Sequence, residues 1–214
     1  MNTAVASRPT RPIRLYRHPL SGHAHRAELF LSLLDLPVEP IDVDLLRGEQ
    51  KRPEFLARNV FGQVPVIEDG EATVADSNAI LVYLALRYDT SGRWLPREPL
   101  AAAEVQRWLS IAAGPLAAGP AQARISALFG RPLDPRSREL AAQLFQQLDT
   151  RLAAQPWLVP GESPTLADIA LYSYTAHAPE GGVPLAPYPH LQAWLARIKA
   201  LPGFVGMRRS PALA

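Results

Sequence analysis

The segment from Asn59 to Ser77, NVFGQVPVIEDGEATVADS, combines two short apolar runs, a turn signal and the start of a helix. Residues 64–67 form an apolar run with β-branched character, Asp69-Gly70 is a hairpin turn signal, and residues 72–74 supply a returning strand. This order of signals predicts a β-hairpin that leads directly into a helix.

Pro65 lies inside the first of these strands, where its missing N–H would remove a hydrogen bond from the sheet. A cis Val64-Pro65 bond would resolve the conflict, because it would turn the Val64 amide and carbonyl outward, where a peptide ligand can pair with them. Only about 5–6 % of X-Pro bonds in folded proteins are cis, so the pattern alone leaves both isomers open.

Asp76 and Ser77 precede an apolar helix predicted over residues 78–88. Ser77 is a good N-cap, and free amides in the first turn would attract a carboxylate, whereas Asp76 would attract an ammonium group. A free amino acid carries both of these charges. Helix capping alone explains the pair equally well, so both interpretations stay open on these residues.

Four further elements are predicted before this segment: a strand at 13–16, a helix at 24–34, a strand at 38–43 and a short helix at 51–58. The resulting order, β-α-β-α-β-β-α, predicts a small mixed sheet with helices on its faces over residues 13–88. Residues 1–12 are predicted to be a mobile arm and residues 89–99 a linker.

The remainder of the chain is predicted to be all-helical over residues 100–207, followed by a tail at 208–214. Its helices are predicted at 100–116, 138–153, 166–177 and 191–200. Gly114-Pro115 and Gly119-Pro120 interrupt the first of them, as a kink or as a turn between two helices. Thr165 and Asp168 resemble a capping box at the start of the third.

The composition excludes several classes of function. The 214 residues are 48 % hydrophobic and 20 % charged, which is usual for a soluble globular protein. A net charge of +2 with scattered arginines does not indicate nucleic-acid binding, and no apolar run is long enough to span a membrane. We expect a cytoplasmic protein, because the first dozen residues lack the apolar core of a signal peptide. The absence of cysteine excludes a protein cysteine nucleophile.

Ser21 lies in the turn between the first strand and the first helix. A thiolate placed beside its hydroxyl would gain a hydrogen bond and the positive end of the helix. Lowering a thiol pKa from about 8.5 to about 6.5 requires only about 2.7 kcal/mol of preferential interaction with the anion. Ser21 could equally be an N-cap and nothing more.

Five segments in this order resemble the cytosolic glutathione S-transferase family: LYRHPLSGHAHRAEL, GEQKRPEFL, NVFGQVPVIEDG, DSNAILVYLALRY and PTLADIALYSY. The resemblance covers nearly the whole chain and is strongest for the serine-type classes, phi- and theta-like bacterial forms, because Arg26 follows Ser21 by five residues. Tyr16 lies too far upstream to match the catalytic tyrosine of other classes. The resemblance implies an N-terminal thioredoxin-like domain, an all-helical C-terminal domain, a homodimer, and glutathione as co-substrate.

The resemblance also implies roles for individual residues at the thiol and glycyl ends of glutathione. Ser21 would be catalytic and would activate the glutathione thiol. Lys51 would neutralise the glycyl carboxylate, with Gln50 beside it and Gln63 assisting. Lys51 could instead be an ordinary solvated lysine.

For the rest of the tripeptide, the resemblance implies that Val64, before a cis Pro65, pairs with the cysteinyl backbone. Asp76 and Ser77 would hold the γ-glutamyl ammonium and carboxylate. These roles agree with the charge pattern, since a ligand with two carboxylates and one ammonium would meet a lysine, a helix start and an aspartate.

A small hydrophobic electrophile would be the second substrate, held between the domains, and the residues expected to line its pocket are Leu20, Trp108 and Ile111. Reduction of disulfides or peroxides by successive glutathiones, and a non-enzymatic binding or regulatory role, are the alternatives. We expect no metal, because His18, His23 and His25 are spread across a turn with no carboxylate at a fitting offset. His23 and His25 stand where the family commonly has smaller residues.

Overall fold

The computed structural model describes residues 8–132 and 134–210. They form two compact units, one of residues 8–94 with 202–207, the other of 95–132 and 134–201 with 208–210. Most of the predicted N-terminal arm and the last four residues of the predicted tail lie outside the described residues.

The first unit contains a four-stranded mixed sheet with the strand order β2-β1-β3-β4. Its elements are β1 (Ile13–Arg17), α1 (Gly22–Leu33), β2 (Val38–Asp42), a 3₁₀ turn (Glu49–Lys51), α2 (Pro53–Leu56), β3 (Val66–Asp69), β4 (Ala72–Ala75) and α3 (Ser77–Tyr88). β1 pairs in parallel with β2 and antiparallel with β3, and β3 pairs antiparallel with β4. The predicted thioredoxin-like order is confirmed.

The hairpin differs from its prediction at its first residues. The Val64-Pro65 peptide bond is cis, as the family resemblance implies, and β3 begins only at Val66. The shorter strand is consistent with the absence of an N–H on Pro65, which cannot donate to a neighbouring strand. The turn residue Gly70 has a φ of 61°, the left-handed conformation that this hairpin signal predicts.

The second unit is helical, as predicted. Its helices are α4 (Pro99–Ala113), α5 (Gln122–Leu128), α6 (Pro135–Ala154), α7 (Leu166–Ala176) and α8 (Pro189–Lys199). α4 ends before Gly114, and the Gly119-Pro120 pair lies in a π-helical segment, Ala117–Ala121. The glycine-proline pairs therefore mark a real interruption, since proline cannot donate the hydrogen bond of a regular helix.

α7 forms the centre of this unit, because every residue from 166 to 175 is buried. Thr165 and Asp168 form the predicted capping box at its start. Asp168 has no exposed surface and also accepts hydrogen bonds from Trp194 Nε1 at 2.8 Å and from the Leu158 amide at 3.0 Å. This one carboxylate therefore joins the start of α7 to α8 and to the preceding loop.

Residues 202–207, which the sequence assigns to the helical domain, belong to the first unit. Ser32 Oγ donates to the Gly203 carbonyl at 2.7 Å, and His25 Nε2 donates to the Val205 carbonyl at 2.9 Å. Both side chains come from α1, so this helix holds the returning segment. Among the described helices, none has the length and apolar character needed to cross a bilayer.

Candidate functional site

Ser21 is the N-cap of α1. Its Oγ accepts a hydrogen bond from the Ala24 amide at 3.2 Å, and its carbonyl accepts one from the His25 amide at 2.9 Å. The side chain is partly exposed. A serine hydroxyl that accepts in this way can still donate its hydrogen. Ser21 can therefore cap the helix and donate to an anion at the same time, so the two interpretations of this residue are compatible.

The turn before Ser21 is held by His18. The His18 carbonyl accepts a hydrogen bond from the Ser21 amide at 2.9 Å, and its ring Nδ1 accepts one from the Leu20 amide at 3.3 Å. Burial lowers the pKa of His18, against the opposing charges of Asp42 and Asp44. A neutral ring is the form that can accept from the amide, so the lowered pKa favours the observed turn.

Tyr16 is excluded as the group that activates a thiol in this unit. It is buried in β1, and its hydroxyl donates to Glu68 Oε2 at 2.9 Å. Burial and the neighbouring Glu68 raise the pKa of the Tyr16 phenol. Its proton is thus already held by an internal carboxylate.

Gln50 and Lys51 lie in the 3₁₀ turn, next to the loop that precedes the cis proline. Lys51 is exposed, and its Nζ donates to the Phe61 carbonyl at 3.2 Å. Gly62 has a φ of 59°, and a Cβ there would lie 2.7 Å from the Gln50 carbonyl oxygen and 2.9 Å from Lys51 Nζ. Glycine is therefore required for this close approach.

The Gln50 side-chain amide is hydrogen bonded at one end only. Its Nε2 donates to the Leu45 carbonyl at 3.4 Å, and its Oε1 is buried without a hydrogen-bond partner among the described residues. Buried polar atoms of this kind are rare in folded proteins.

Asn59 shapes the loop that leads to Val64 and Pro65. It is buried, its Nδ2 donates to the Gln63 carbonyl at 2.9 Å, and its Oδ1 accepts from the Phe61 amide at 3.1 Å. Gln63 keeps an exposed side chain, and Val64 packs against a small apolar cluster. Sequence reasoning did not assign Asn59 a role, although an asparagine that satisfies a turn is a recognisable signal.

The start of α3 corrects one prediction. Asp76, with a φ of 75°, is the N-cap, and Ser77 is the first residue of the helix. Asp76 Oδ1 accepts from the amides of Asn78 and Ala79, both at 2.9 Å, and its carbonyl accepts from the Ile80 amide. The amides of Asn78, Ala79 and Ile80 are therefore all bonded to Asp76.

Ser77 instead contacts α1. It is buried, and its Oγ accepts from Arg26 Nη1 at 2.8 Å, while the same nitrogen donates to Asn78 Oδ1 at 3.0 Å. His23 Nδ1 lies 3.3 Å from Ser77 Oγ and 3.4 Å from Arg26 Nη1. Burial and the positive charge of Arg26 lower the pKa of His23 to about 3, so its imidazole is neutral near pH 7. We call Arg26, His23, Ser77 and Asn78 the α1–α3 cluster.

α1 thus connects two of the predicted site residues. Ser21 begins the helix, and His23 and Arg26 follow within its first turns and contact Ser77. From the sequence, Arg26 is identified only by its spacing from Ser21 in a family pattern, because its contact with Ser77 depends on how two distant helices pack.

The residues expected to line an electrophile pocket are divided between the units. Leu20 is partly buried in the turn before α1, whereas α4 carries a buried Trp108 and a partly buried Ile111. The pocket stays a prediction. Among the residues that the structure describes, no group of three or more histidine, aspartate or glutamate side chains is arranged to hold a metal ion.

Comparison with known proteins gives two family matches. Residues 11–86 match the model of the glutathione S-transferase N-terminal domain, and residues 123–202 match that of the C-terminal domain. Together these matches cover more than half of the chain.

Individual relatives and solved structures agree with these matches. Glutathione S-transferase 3 of Zea mays is 32 % identical over 207 residues, with 90 % of this chain and 91 % of the relative covered. Disulfide-bond oxidoreductase YfcG of Escherichia coli is also 32 % identical, over 89 % of this chain and 91 % of the relative. A glutathione S-transferase structure from Pseudomonas fluorescens is 34 % identical with a TM-score of 0.85, and the match covers 93 % of this chain and all of that one.

Proposed function

The chain belongs to the cytosolic glutathione S-transferase family, and we propose that Ser21 activates the thiol of glutathione for attack on a small hydrophobic electrophile. Transfer of a group to glutathione is the activity of the family, and this chain is a glutathione transferase. The serine-type assignment and the electrophile are the parts that we propose.

The observation that supports Ser21 best is its place at the start of α1. A bound glutathione supplies the sulfur nucleophile. The Ser21 hydroxyl would donate a hydrogen bond to the sulfur anion, and the N-terminal end of α1 adds a favourable potential. The thiol proton leaves to solvent, a carbon–sulfur bond forms, and the leaving group departs from the electrophile with the bonding electrons.

The remaining site residues would hold the tripeptide by its charges and its backbone. Lys51 would neutralise the glycyl carboxylate, assisted by Gln50 and Gln63. Val64, before the cis Pro65, would pair with the cysteinyl backbone.

At the other end, Asp76 and Ser77 would receive the γ-glutamyl ammonium and carboxylate. Asp76 is exposed and its second carboxylate oxygen can accept from an ammonium group while Oδ1 caps α3. We also propose that the protein is a cytoplasmic homodimer, as is usual in the family. Sedimentation equilibrium of the purified chain tests the dimer directly.

Replacing Ser21 with alanine tests its proposed role. We expect kcat with a chloronitrobenzene acceptor to fall by about 100-fold, because one donor to a developing anion is lost. The KM for glutathione should change by less than about 3-fold, because the serine contacts only the thiol. Ser21→Thr, which keeps the hydroxyl, is the matched control. A Ser21→Ala enzyme with unchanged turnover would remove Ser21 from the mechanism.

Reduction of disulfides is the second candidate, and it is favoured by the similarity to an Escherichia coli disulfide-bond oxidoreductase. Because this chain has no cysteine, both thiols must come from glutathione. The first attacks the substrate disulfide and displaces one thiol, and the second attacks the mixed disulfide and releases oxidised glutathione. Parallel assays with hydroxyethyl disulfide, cumene hydroperoxide and a chloronitrobenzene separate the activities.

A further inference from the structure

The turn that carries Ser21 lies between two fixed ends. Before the turn, Arg17 Nε donates to Asp42 Oδ1 of β2 at 3.0 Å, and the same guanidinium pairs with Glu28 of α1. After the turn, the backbone is the first turn of α1. The conformation of residues 18–20 therefore decides where the Ser21 hydroxyl lies.

His18 closes this turn twice. Its carbonyl accepts from the Ser21 amide at 2.9 Å, which is the bond of a β-turn in which Pro19 occupies the position that proline favours. Its ring Nδ1 accepts from the Leu20 amide at 3.3 Å. The backbone bond joins the two ends of the turn, and the ring bond orients the peptide unit between Pro19 and Leu20 in the middle of it.

The ring contact requires a neutral His18 with its proton on Nε2. A backbone amide can only donate, so Nδ1 is the acceptor, and a protonated imidazole has no acceptor at all. Burial lowers the pKa of His18, whereas the carboxylates of Asp42 and Asp44, at the end of β2 and in the loop after it, act in the opposite direction. The ring is therefore neutral near pH 7 and, because it is partly exposed, can take up a proton at lower pH.

The strength of a hydrogen bond from Ser21 to a thiolate depends on this turn. Hydrogen bonds weaken steeply as their angle departs from linear, and charge-assisted bonds are stronger than neutral ones, so misalignment costs more. Ser21 Oγ accepts from the Ala24 amide at 3.2 Å, and its single hydroxyl hydrogen is the donor that a sulfur anion can receive. A shift of the turn would redirect that one donor.

We propose that His18 is a positioning residue for Ser21: its neutral ring holds the turn that directs the Ser21 hydroxyl toward the glutathione sulfur, and protonation of the ring releases that hold. This inference depends on the proposed function, because it names the group that sets the geometry of the proposed thiolate donor. His18 acts on the thiol only through Ser21. Its removal should therefore weaken stabilisation of the thiolate and leave the binding of glutathione nearly unchanged.

Two variants separate the ring acceptor from the rest of the His18 side chain. His18→Leu removes the acceptor. His18→Asn keeps one that does not titrate, because an asparagine side-chain oxygen accepts from the amide two residues further along the chain. Replacement of the exposed His190 by leucine is the matched control for the loss of a histidine.

Ultraviolet titration of the enzyme–glutathione complex measures the effect on the bound thiol. We expect its pKa to rise from about 6.5 in the wild type to about 7.5 in His18→Leu, and to remain at about 6.5 in His18→Asn and in His190→Leu. At pH 6.5 this rise leaves about 5-fold less thiolate, so kcat should fall by about 5-fold. The KM for glutathione should change by less than about 2-fold, because the ring does not hold the tripeptide.

The pH dependence of kcat tests the release of the turn. Acid protonates both the thiolate and His18 in the wild type, whereas His18→Asn has no ring to protonate at this position. The ratio of kcat for His18→Asn to kcat for the wild type should be close to 1 at pH 7.5 and rise to about 3 at pH 5. A ratio that stays the same at both pH values would overturn the proposal. This comparison decides the matter even if His18→Leu is unstable.

A Ser21→Ala background distinguishes failure of this inference from failure of the proposed function. If His18 acts through Ser21, adding His18→Leu should leave the bound thiol at about 8.5, the value expected for Ser21→Ala alone. A folded His18→Leu protein with the wild-type thiol pKa, or a His18→Asn protein that behaves like His18→Leu, would overturn the proposal. A wild-type thiol pKa in Ser21→Ala would instead contradict the proposed function.

Discussion

Among single residues, two side chains that cap helices in the first unit are also proposed to bind glutathione. Ser21 caps α1 and can still donate its hydrogen, and Asp76 caps α3 with one carboxylate oxygen. Asn59 closes the loop before the cis proline with both ends of its side-chain amide. Ser21 and Asp76 each cap a helix through one oxygen. Each still has one further polar group, the hydroxyl hydrogen of Ser21 and the second carboxylate oxygen of Asp76, that a ligand could contact.

The neutral His23 gives the protein a predictable response to acid. Its pKa is lowered to about 3 by burial and by Arg26, so the unfolded chain binds a proton below about pH 6.5 while the folded chain does not. The stability associated with a neutral His23 is complete above pH 6.5 and is lost as the pH falls from there toward 3.

Between pH 7 and pH 5, the free energy of unfolding of the wild type should fall by about 1–2 kcal/mol more than that of His23→Asn. Asparagine keeps an acceptor near the Nδ1 position but does not titrate. Urea unfolding at both pH values measures the difference. His177, whose pKa is also lowered, is present in both proteins, and His190→Ala, an exposed histidine, is the control. Identical pH dependence in wild type and His23→Asn would show that His23 does not stay neutral in the fold.

The sequence predicts these residues unevenly. Asp76 and Ser77 are recognisable as a pair, because an aspartate and a serine before an apolar helix are a local signal. Which of them caps the helix is not decided by the sequence, since both are good caps. The contact between Arg26 and Ser77 has no local signal, because 51 residues separate them and only the packing of α1 on α3 brings them together.

At the scale of elements, the stability of the helical unit depends on one buried carboxylate. Asp168 accepts hydrogen bonds from the amides of Thr165 and Leu158 and from the indole of Trp194. Removing it would leave three buried donors without an acceptor, and each such donor is costly.

We therefore expect Asp168→Ala to lower the free energy of unfolding by about 3 kcal/mol or more. Asp134→Ala provides the matched control: Asp134 caps α6 at an exposed position, and its loss should cost only about 1 kcal/mol. Chemical denaturation followed by circular dichroism compares the two variants. A cost for Asp168→Ala no larger than that for Asp134→Ala would show that the buried network contributes little.

The elements themselves are largely predictable. Alternating and helical spacing locates the strands and helices, and the capping box at Thr165 marks the start of α7. The return of residues 202–207 to the first unit has no local signal. It depends on His25 and Ser32 of α1, which hydrogen bond to the carbonyls of Val205 and Gly203.

For the molecule as a whole, the β-α-β-α-β-β-α order followed by helices predicts a small mixed sheet and a helical part, and the family resemblance adds the thioredoxin-like fold. Family matches over residues 11–86 and 123–202 agree with that order. The electrophile is not predictable in this way. The residues expected to contact it, Leu20 in the first unit and Trp108 and Ile111 in the second, lie in separate units. The hydrophobic pattern of each unit indicates only which residues are buried within that unit.

The proposed role of Ser21 is to stabilise the thiolate of bound glutathione. Ultraviolet titration of the enzyme–glutathione complex measures the pKa of the bound thiol directly. We predict a pKa of about 6.5 for the wild type and a value close to the unperturbed value of about 8.5 for Ser21→Ala. A bound thiol that titrates at the same pKa in both proteins would show that Ser21 does not stabilise the thiolate.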